Sequence, residues 1–559
     1  MAHYMTDYAA TRRAFRLEVP ERFNWAFDTF DAWARDPGKL ALLWVSADGR
    51  PRRFTFAELA ERSRRFANVL AGLGVGPGER VFVVLPRVPA WWEVLLGCLR
   101  GLAVSVPGTT LLTPKDIQYR LAVSEASVVV TDEDDTWKVD QVLAECPSVR
   151  HRIVVGRAGG GWLPYEALMA RASDRLTHPR NPSADPMMIY FTSGTAGPPK
   201  MVLHTHASYP IGHVITGRYW LDNTPDDLHW SISDTGWAQA AWTCFFAPWN
   251  MGAAIFIWDA RSKKFEPDAA LEMLERYPVT TFLAPATAFR LFAQEPLRQR
   301  RFRTLRHCMS GGEALNAEVI AAWREGTGHH IHEGYGQTET VLLAATFPAI
   351  PWKPGSMGRA SPGHEIAIVD DEGQERPRDT EGDLAVRVVP ERPVGMFREY
   401  WRSPEETARC HRGDWYVTGD RAAMDADGYI WFVGRADDVI NSASYRIGPF
   451  EIESALIEHP AVAEAAVVGK PDALRGEIVK AFVVLAPGRE PSAALTAELQ
   501  EHVKTVTAPY KYPREVEFVS ELPKTISGKV RRTALRQIER ERARAGGGAA
   551  GVVDPGPRP

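Results

Sequence analysis

The chain has 559 residues, of which 45% are apolar and 24% charged; this excludes wholesale disorder, and the length exceeds what one compact core organises. Lys and Arg number 66 against 70 Asp and Glu, a net charge of −4, so no overall basic field argues for a nucleic-acid partner. Five cysteines (Cys98, Cys146, Cys244, Cys308 and Cys410) stand without a CxxC pair, which excludes on spacing a disulfide framework or thiolate zinc site and points to a reducing compartment.

Along the chain, the N-terminal stretch MAHYMTDYAATRRAFRLEVPERF lacks the apolar core of a secretory signal and carries acidic residues, so a cytoplasmic protein is expected. No run approaches the roughly 18 apolar residues of a spanning helix, and no membrane insertion is expected. Thr55-Phe56-Ala57-Glu58 is a capping box opening a helix whose Leu59, Phe66, Leu70 and Leu73 share a face, with Gly72 and Gly74 ending it. Buried strands follow at Arg80 to Leu85, Ser127 to Thr131 and Arg152 to Val155. Strands alternating with helices predict an α/β architecture with largely parallel sheet over residues 50 to 350.

After Gly434 the segments shorten. A helix is expected from Pro449, with Ile452 and Leu456 four apart, then a strand over Val479 to Leu485 and a helix near residues 494 to 506. Lys504 to Arg544 carries 11 Lys or Arg against 5 Glu, which reads either as a solvated basic face or as a surface for phosphates. These changes predict an N-terminal domain over 1–434, a boundary at 435–438, a C-terminal domain over 439–540, and a Gly-, Ala- and Pro-rich disordered tail over 541–559.

The most informative segment is Tyr190-Phe191-Thr192-Ser193-Gly194-Thr195-Ala196-Gly197-Pro198-Pro199-Lys200, which follows the apolar Met187-Met188-Ile189. Its backbone N–H groups and hydroxyls suit phosphate oxygens, and its lysine adds a point charge. It is not a Walker loop, because Pro199-Lys200-Met201 closes it where Gly-Lys-Ser/Thr is required. His204-Thr205-His206 lacks the further ligands of a zinc site.

This loop resembles the phosphate-binding signature of the adenylate-forming superfamily of acyl-CoA synthetases, peptide-synthetase adenylation domains and luciferases. The resemblance extends in order through Ser310-Gly311-Gly312-Glu313, Tyr335-Gly336-Gln337-Thr338-Glu339, Tyr416-Val417-Thr418-Gly419-Asp420, Gly434-Arg435-Ala436-Asp437-Asp438 and Pro523 to Lys529. Ser233-Asp234-Thr235-Gly236-Trp237, Tyr445-Arg446-Ile447-Gly448-Pro449 and Ala508 to Arg514 are most similar to medium-chain acyl-CoA synthetases. The implied fold is a large α/β adenylate-forming domain, its mixed and parallel sheets sandwiched by helices, with a small mobile α+β C-terminal domain. The implied reaction joins a medium-chain, branched or aromatic carboxylic acid to ATP, giving acyl-AMP, and then moves the acyl group to CoA. The alternative is an acyl-AMP ligase serving a carrier protein or another acceptor. The partners are thus small molecules, and a homodimer is left open.

The resemblance implies roles residue by residue. Thr192 to Lys200, Gly312, Glu313, Glu333, Gly334, Tyr335, Gly336, Gln337 and Thr338 would bind ATP, with Asp420, Arg435 and Arg446 at its ribose and phosphates. Glu339 would hold Mg²⁺, for which its hard oxygens are suited. Lys529 would be catalytic: the carboxylate is already ionised, so the task is bringing two anions together rather than removing a proton. Asp437 matches the hinge about which the C-terminal domain turns between half-reactions. Ala443, Ser444, Tyr445, Arg475, Lys504, Tyr512, Pro513 and Arg514 would receive CoA. Ser444 departs from the glycine usual there, and its hydroxymethyl group would narrow the passage for the pantetheine arm. Trp237, Ala284, Gly311, Tyr335 and Gly336 would line the acyl pocket, with Trp242 and Leu283 to Ala286 as further apolar candidates. Acetate-restricted relatives carry tryptophan where Gly336 stands, so the pocket is expected to extend past two carbons.

Overall fold

The computed structural model describes residues 3–192, 199–260, 265–442, 445–472, 475–507, 511–525 and 529–546, with the backbone alone for 441, 445, 446 and 543–546. The chain packs as two units. The first comprises Met1–Ala367, Ala385–Thr418 and Asp425–Ile430; the second comprises Ile368–Leu384, Gly419–Met424 and Trp431–Pro559. Where the texture of the sequence suggests one passage at 435–438, the chain changes unit five times, the last between Ile430 and Trp431.

In the first unit a nine-stranded sheet has Leu40–Val45, Ala254–Trp258, Leu228–Ser231, Thr281–Leu283, His307–Gly311 and Ile331–Gly336 side by side and parallel. Antiparallel strands flank this centre: Leu342–Ala345 and Arg359–Ala360 at one end, Pro51–Thr55 at the other. An eight-stranded sheet places Arg80–Val84 between Val104–Pro107 and Val128–Asp132, all parallel, with His151–Val155 beyond. Arg80–Val84, Val128–Asp132 and His151–Val155 fall within one residue of the expected bounds, because runs such as Val81 to Val84 are buried on both faces and leave no periodicity to misread.

Thr55 and Glu58 form the expected capping box: the Glu58 N–H donates to Thr55 Oγ1 at 3.1 Å, and the Thr55 N–H donates to Glu58 Oε2 at 2.7 Å. The helix spans Phe56–Gly72 and buries Leu59, Phe66 and Leu70; Leu73 lies just past its last turn. It packs with Pro89–Gly101 over a core of Trp25, Phe30, Trp91, Trp92, Phe245 and Trp249.

The second unit contains a sheet in the order Tyr445–Ile447, Ile440–Ser442, Gly476–Leu485, Val462–Asp472, with Glu515–Phe518 parallel to Gly476–Leu485. The helices Pro449–Glu458 and Ala493–Val506 lie where expected. The tail expected over 541–559 is corrected at its start, because the helix Arg532–Gly546 continues through 541–546. Arg542 pairs with Glu539 at 2.8 Å and with Glu517 at 2.7 Å, and Gln537 donates to Glu541, so polar pairs along this segment favour helix. No helix among the described residues is long and apolar enough to cross a membrane.

Candidate active site

The neighbouring parallel strands His307–Gly311 and Ile331–Gly336 pair Ser310 with Glu333 and Gly311 with Gly334. This register gathers Gly311, Gly312, Glu313, Gly334, Tyr335 and Gly336 at carboxyl ends of the sheet, and Ala284 follows the adjacent Thr281–Leu283. Open parallel sheets bind ligands outside these ends. Glu333 is buried there, its Oε1 accepting the Leu315 N–H at 3.0 Å, and burial pushes its pKa up to about 7. Glu313 lies 3.6 Å from Arg290. Gln337 uses both ends of its amide: Nε2 donates to the Thr418 carbonyl at 2.8 Å, and Oε1 accepts the Tyr416 hydroxyl at 3.1 Å. Two motifs far apart in sequence are thereby joined.

A second group is built on the other sheet. Thr192 and Lys200 are cross-strand partners at the mouth of the loop; Ser193, Gly194, Thr195, Ala196, Gly197 and Pro198 lie outside the described residues. The Pro199 carbonyl accepts the Tyr119 hydroxyl at 3.3 Å. Lys200 Nζ is 2.6 Å from Glu406 and stands 4.9 Å from the centre of the Tyr400 ring. The same Tyr400 donates its hydroxyl to Glu339 Oε1 at 2.8 Å. Hydrogen bonding to Lys200 holds the Glu406 carboxyl below its ordinary pKa.

Glu339 is buried and offers hard oxygen donors, and among the described residues no three His, Cys, Asp or Glu gather as a metal cage. That donor set fits Mg²⁺, which commonly takes one or two carboxylates and completes its octahedron with phosphate oxygens and water. His204 is not disposed as a ligand: its Nε2 is bonded to the Thr338 carbonyl and its Nδ1 lies 2.9 Å from Ser208 Oγ.

Ser233 to Trp237 has a backbone explanation. A Cβ on Gly236 would stand 1.9 Å from the Thr109 nitrogen, so only glycine lets these two segments cross. Asp234 clamps the crossing by accepting the Thr109 hydroxyl at 3.0 Å and the Gly236 N–H at 2.8 Å, and Thr235 donates to the Leu85 carbonyl at 2.5 Å. Half-buried Trp237 begins the turn that carries Trp242.

Gly336 stands in a crowded place. A Cβ there would stand 2.5 Å from the Val341 carbonyl oxygen and 2.7 Å from Cη2 of Trp242. The indole that borders it comes from the π-helical turn Trp242–Phe246.

In the second unit, Asp420 and Arg435 form an ion pair at 3.1 Å. Asp437 is exposed in the turn Ala436–Asp438; its carbonyl accepts from Arg536 at 2.9 Å, and the same guanidinium holds the buried Asp438 carboxylate. Arg446 is placed by its backbone opposite Asn441, and Tyr445 opposite Ser442. Lys504 and Arg514 both lie over the Tyr512 ring, at 4.6 and 5.0 Å from its centre, and the Pro513 carbonyl accepts from Gln500. Arg475 sits apart, just before the strand Gly476–Leu485, its N–H donating to Asp472. Ala443 and Ser444 lie outside the described residues. Lys529 is exposed, and its backbone closes on Thr525: the Lys529 N–H donates to Thr525 Oγ1 at 3.1 Å. Much of the basic excess is neutralised locally, since Lys511 pairs with Glu451, Lys524 with Glu464, Arg532 with Glu453 and Arg536 with Asp438.

Sequence reasoning missed Tyr400 and Glu406. Each acts through a partner far along the chain, and no spacing rule signals such a pairing.

Comparison with known proteins bears on the whole chain. A family model described as AMP-binding enzyme matches residues 29–401, and one described as AMP-binding enzyme C-terminal domain matches 451–529. The human acyl-coenzyme A synthetase ACSM5, mitochondrial, is 50% identical over 535 residues, covering 94% of this chain and 92% of that one. Acyl-coenzyme A synthetase ACSM3, mitochondrial, of Mus musculus is 47% identical over 96% of this chain and 93% of its own. The crystal structure of the anthranilate CoA ligase AuaEII with anthranoyl-AMP has a TM-score of 0.87 at 30% identity, covering 94% of this chain and 99% of that one. The Brucella canis acyl-CoA synthetase has a TM-score of 0.73 at 34% identity, covering 96% and 100%. The cytoplasmic location expected from the N-terminal sequence is corrected by these relatives, whose names place them in mitochondria. The composition of residues 1–23 does not separate the two compartments.

Proposed function

The chain belongs to the AMP-binding enzyme family, and on that premise we propose that it is an AMP-forming acyl-CoA ligase acting on a medium-chain, branched or aromatic carboxylic acid. A carboxylate oxygen attacks the α-phosphorus of ATP and pyrophosphate leaves; the CoA thiol then attacks the acyl carbonyl, and AMP leaves with its bonding pair. The observation that carries this reading is the convergence of Glu333 to Glu339 and Thr418, through Gln337, at the carboxyl ends of the parallel strands.

In this reading Thr192 to Lys200, Gly312, Glu313 and Gly334 to Thr338 hold the nucleotide, Glu333 borders its base, and Asp420, Arg435 and Arg446 bind ribose and phosphate. Lys200 exchanges the Glu406 carboxylate for a phosphate oxygen of similar charge. Glu339 would hold Mg²⁺, which when bound neutralises triphosphate charge. Lys529 brings a positive charge to the first half-reaction, and Asp437 is the hinge residue. Lys504, Tyr512, Pro513 and Arg514 present two cations and an aromatic face to CoA, with Arg475, Ala443, Ser444 and Tyr445 completing that group.

The test is to measure AMP and thioester from ATP, CoA and acids of C2 to C12 and aromatic type. AMP with matching thioester is expected. Pyrophosphate exchange without thioester would refute CoA as the acceptor.

A further inference from the structure

The Thr338 carbonyl accepts two hydrogen bonds from buried side chains: His204 Nε2 at 2.8 Å and the Tyr209 hydroxyl at 2.5 Å. A carbonyl has two lone pairs and can only accept, so Nε2 carries the proton. The other ring nitrogen of a neutral imidazole is then an acceptor, so Ser208, 2.9 Å away, donates to it. Ser208 Oγ in turn accepts the Thr205 N–H at 2.9 Å. The sequence of donors is thus fixed from Thr205 through Ser208 and His204 to Thr338. Burial lowers the His204 pKa to about 3, so the ring stays neutral across the physiological range. The two donating rings stack on each other, 3.4 Å between centres and 26° between planes, which fixes both donors against rotation.

One donor would satisfy a buried carbonyl; two converging donors also fix the plane of the peptide it belongs to. That peptide joins Thr338 to Glu339. On the far side of Glu339, its carbonyl accepts the Phe397 N–H at 2.7 Å, and its carboxylate accepts the Tyr400 hydroxyl. The segment is therefore held on both sides of Glu339, and the His204 and Tyr209 side chains are the half of the clamp that no part of the reaction above uses.

We propose that His204 and Tyr209 are positioning residues for the adenylation half-reaction: by double donation to the Thr338 carbonyl they preset the Thr338 hydroxyl and the Glu339 carboxylate toward the nucleotide. This rests on the reading of Thr338 and Glu339 as nucleotide-facing. Neither residue touches the reacting atoms, so their effect falls on ATP binding and adenylation and spares thioester formation.

The test uses the full chain and four variants: Tyr209→Phe, His204→Ala, His204→Gln and, as control on the underlying reading, Glu339→Gln. ATP affinity with Mg²⁺ is measured by calorimetry, adenylation by pyrophosphate exchange, and the second half-reaction by thioester formation from supplied acyl-adenylate and CoA. Loss of an outer-shell partner costs about 10- to 100-fold in comparable sites. Tyr209→Phe, which keeps the ring and removes only the donor, is expected to weaken ATP binding and exchange about tenfold while thioester formation stays within about twofold. His204→Ala is expected to lose more, and His204→Gln to recover most of it because its amide nitrogen reaches the place of Nε2. Should His204→Ala fail to fold, Tyr209→Phe decides. A folded Tyr209→Phe with unchanged ATP affinity and exchange overturns the proposal, as does an equal loss in both half-reactions, which would mark a purely structural role. If Glu339→Gln leaves exchange intact, the reading beneath falls and the proposal with it; if Glu339→Gln cripples exchange and Tyr209→Phe does not, the proposal alone falls.

Discussion

Gly336→Ala adds one methyl group where the structure has no room for it. The new Cβ would stand 2.5 Å from the Val341 carbonyl oxygen and 2.7 Å from the Trp242 ring, both inside van der Waals contact. Val341 is fully buried and its carbonyl belongs to the backbone that leads directly into the strand Leu342–Ala345, whereas Trp242 is a side chain at a π-helical turn and retains a little exposure. The indole therefore gives way, and in the proposed function it moves into the space meant for the acyl chain. A displacement that removes room for one or two methylenes loses about 0.8 kcal/mol each, or about fourfold per methylene at 1.4 kcal/mol per decade. The expected outcome is a relative fall of about 4- to 15-fold in kcat/KM for the longest acids accepted, with the shortest acids little changed. Trp242→Ala should shift preference the other way, toward longer or ring-bearing acids, at a stability cost of about 3–5 kcal/mol for an emptied aromatic site. The assay is thioester formation over the C2 to C12 series, alongside thermal unfolding of each variant. Folded variants with an unchanged chain-length profile would refute the idea that Gly336 and Trp242 face the acyl chain.

Lys529→Ala is expected to depress acyl-adenylate formation by about 10²- to 10³-fold, the scale of losing one charge-stabilising group, and to spare thioester formation from supplied acyl-adenylate; an equal loss in both steps would contradict the division of labour. Glu333 titrates at about 7 in the folded chain against an ordinary 4.5, so the folded state binds the extra proton and stability falls as pH rises through that interval. Glu333→Gln should remove about 3 kcal/mol of this pH dependence, read as the difference between variant and parent in urea unfolding at pH 5 and pH 8; parallel curves would show that the carboxyl is not held neutral. Thr55→Ala removes one side of the capping box and should cost about 1 kcal/mol of stability with no change in kcat/KM for any acid, checked by denaturant midpoint and the same thioester assay.

The parts of this fold legible in sequence are those whose cause is local. The Thr55 capping box, the doubly buried strands and Pro449 at a helix start each depend on neighbours within a few residues, and each lies where the pattern puts it. Past residue 540 composition reads Gly and Ala as flexibility, while in the structure Arg542 bridges Glu539 and Glu517, the latter on a strand of the same unit. The site divides along the same line. Motif residues such as Gly311, Glu333 and Thr338 announce themselves by type and order, but what each side chain meets is set by distant segments. Gly336 is read by its type, yet the indole that borders it, Trp242, comes from another element. Lys200 signals phosphate, yet in the structure its charge is met by Glu406.

That last pairing separates what a motif specifies from what a folded site does. A lone lysine beside a phosphate loop repels nothing that the nucleotide brings, but it also lacks a fixed position before the nucleotide arrives. Glu406 and the Tyr400 ring supply that position, and Tyr400 passes it on to Glu339 through its hydroxyl. In the proposed function, the cation for the phosphates and the carboxylate for Mg²⁺ are thus oriented by one aromatic side chain that belongs to neither motif. With His204 and Tyr209 fixing the adjoining peptide, the order of this site is carried by buried tyrosines and a neutral histidine, whose residue types are the least diagnostic in the sequence. Chemistry is written in the motifs, and the preorganisation that lets it proceed is written in residues that sequence reading assigns to the core.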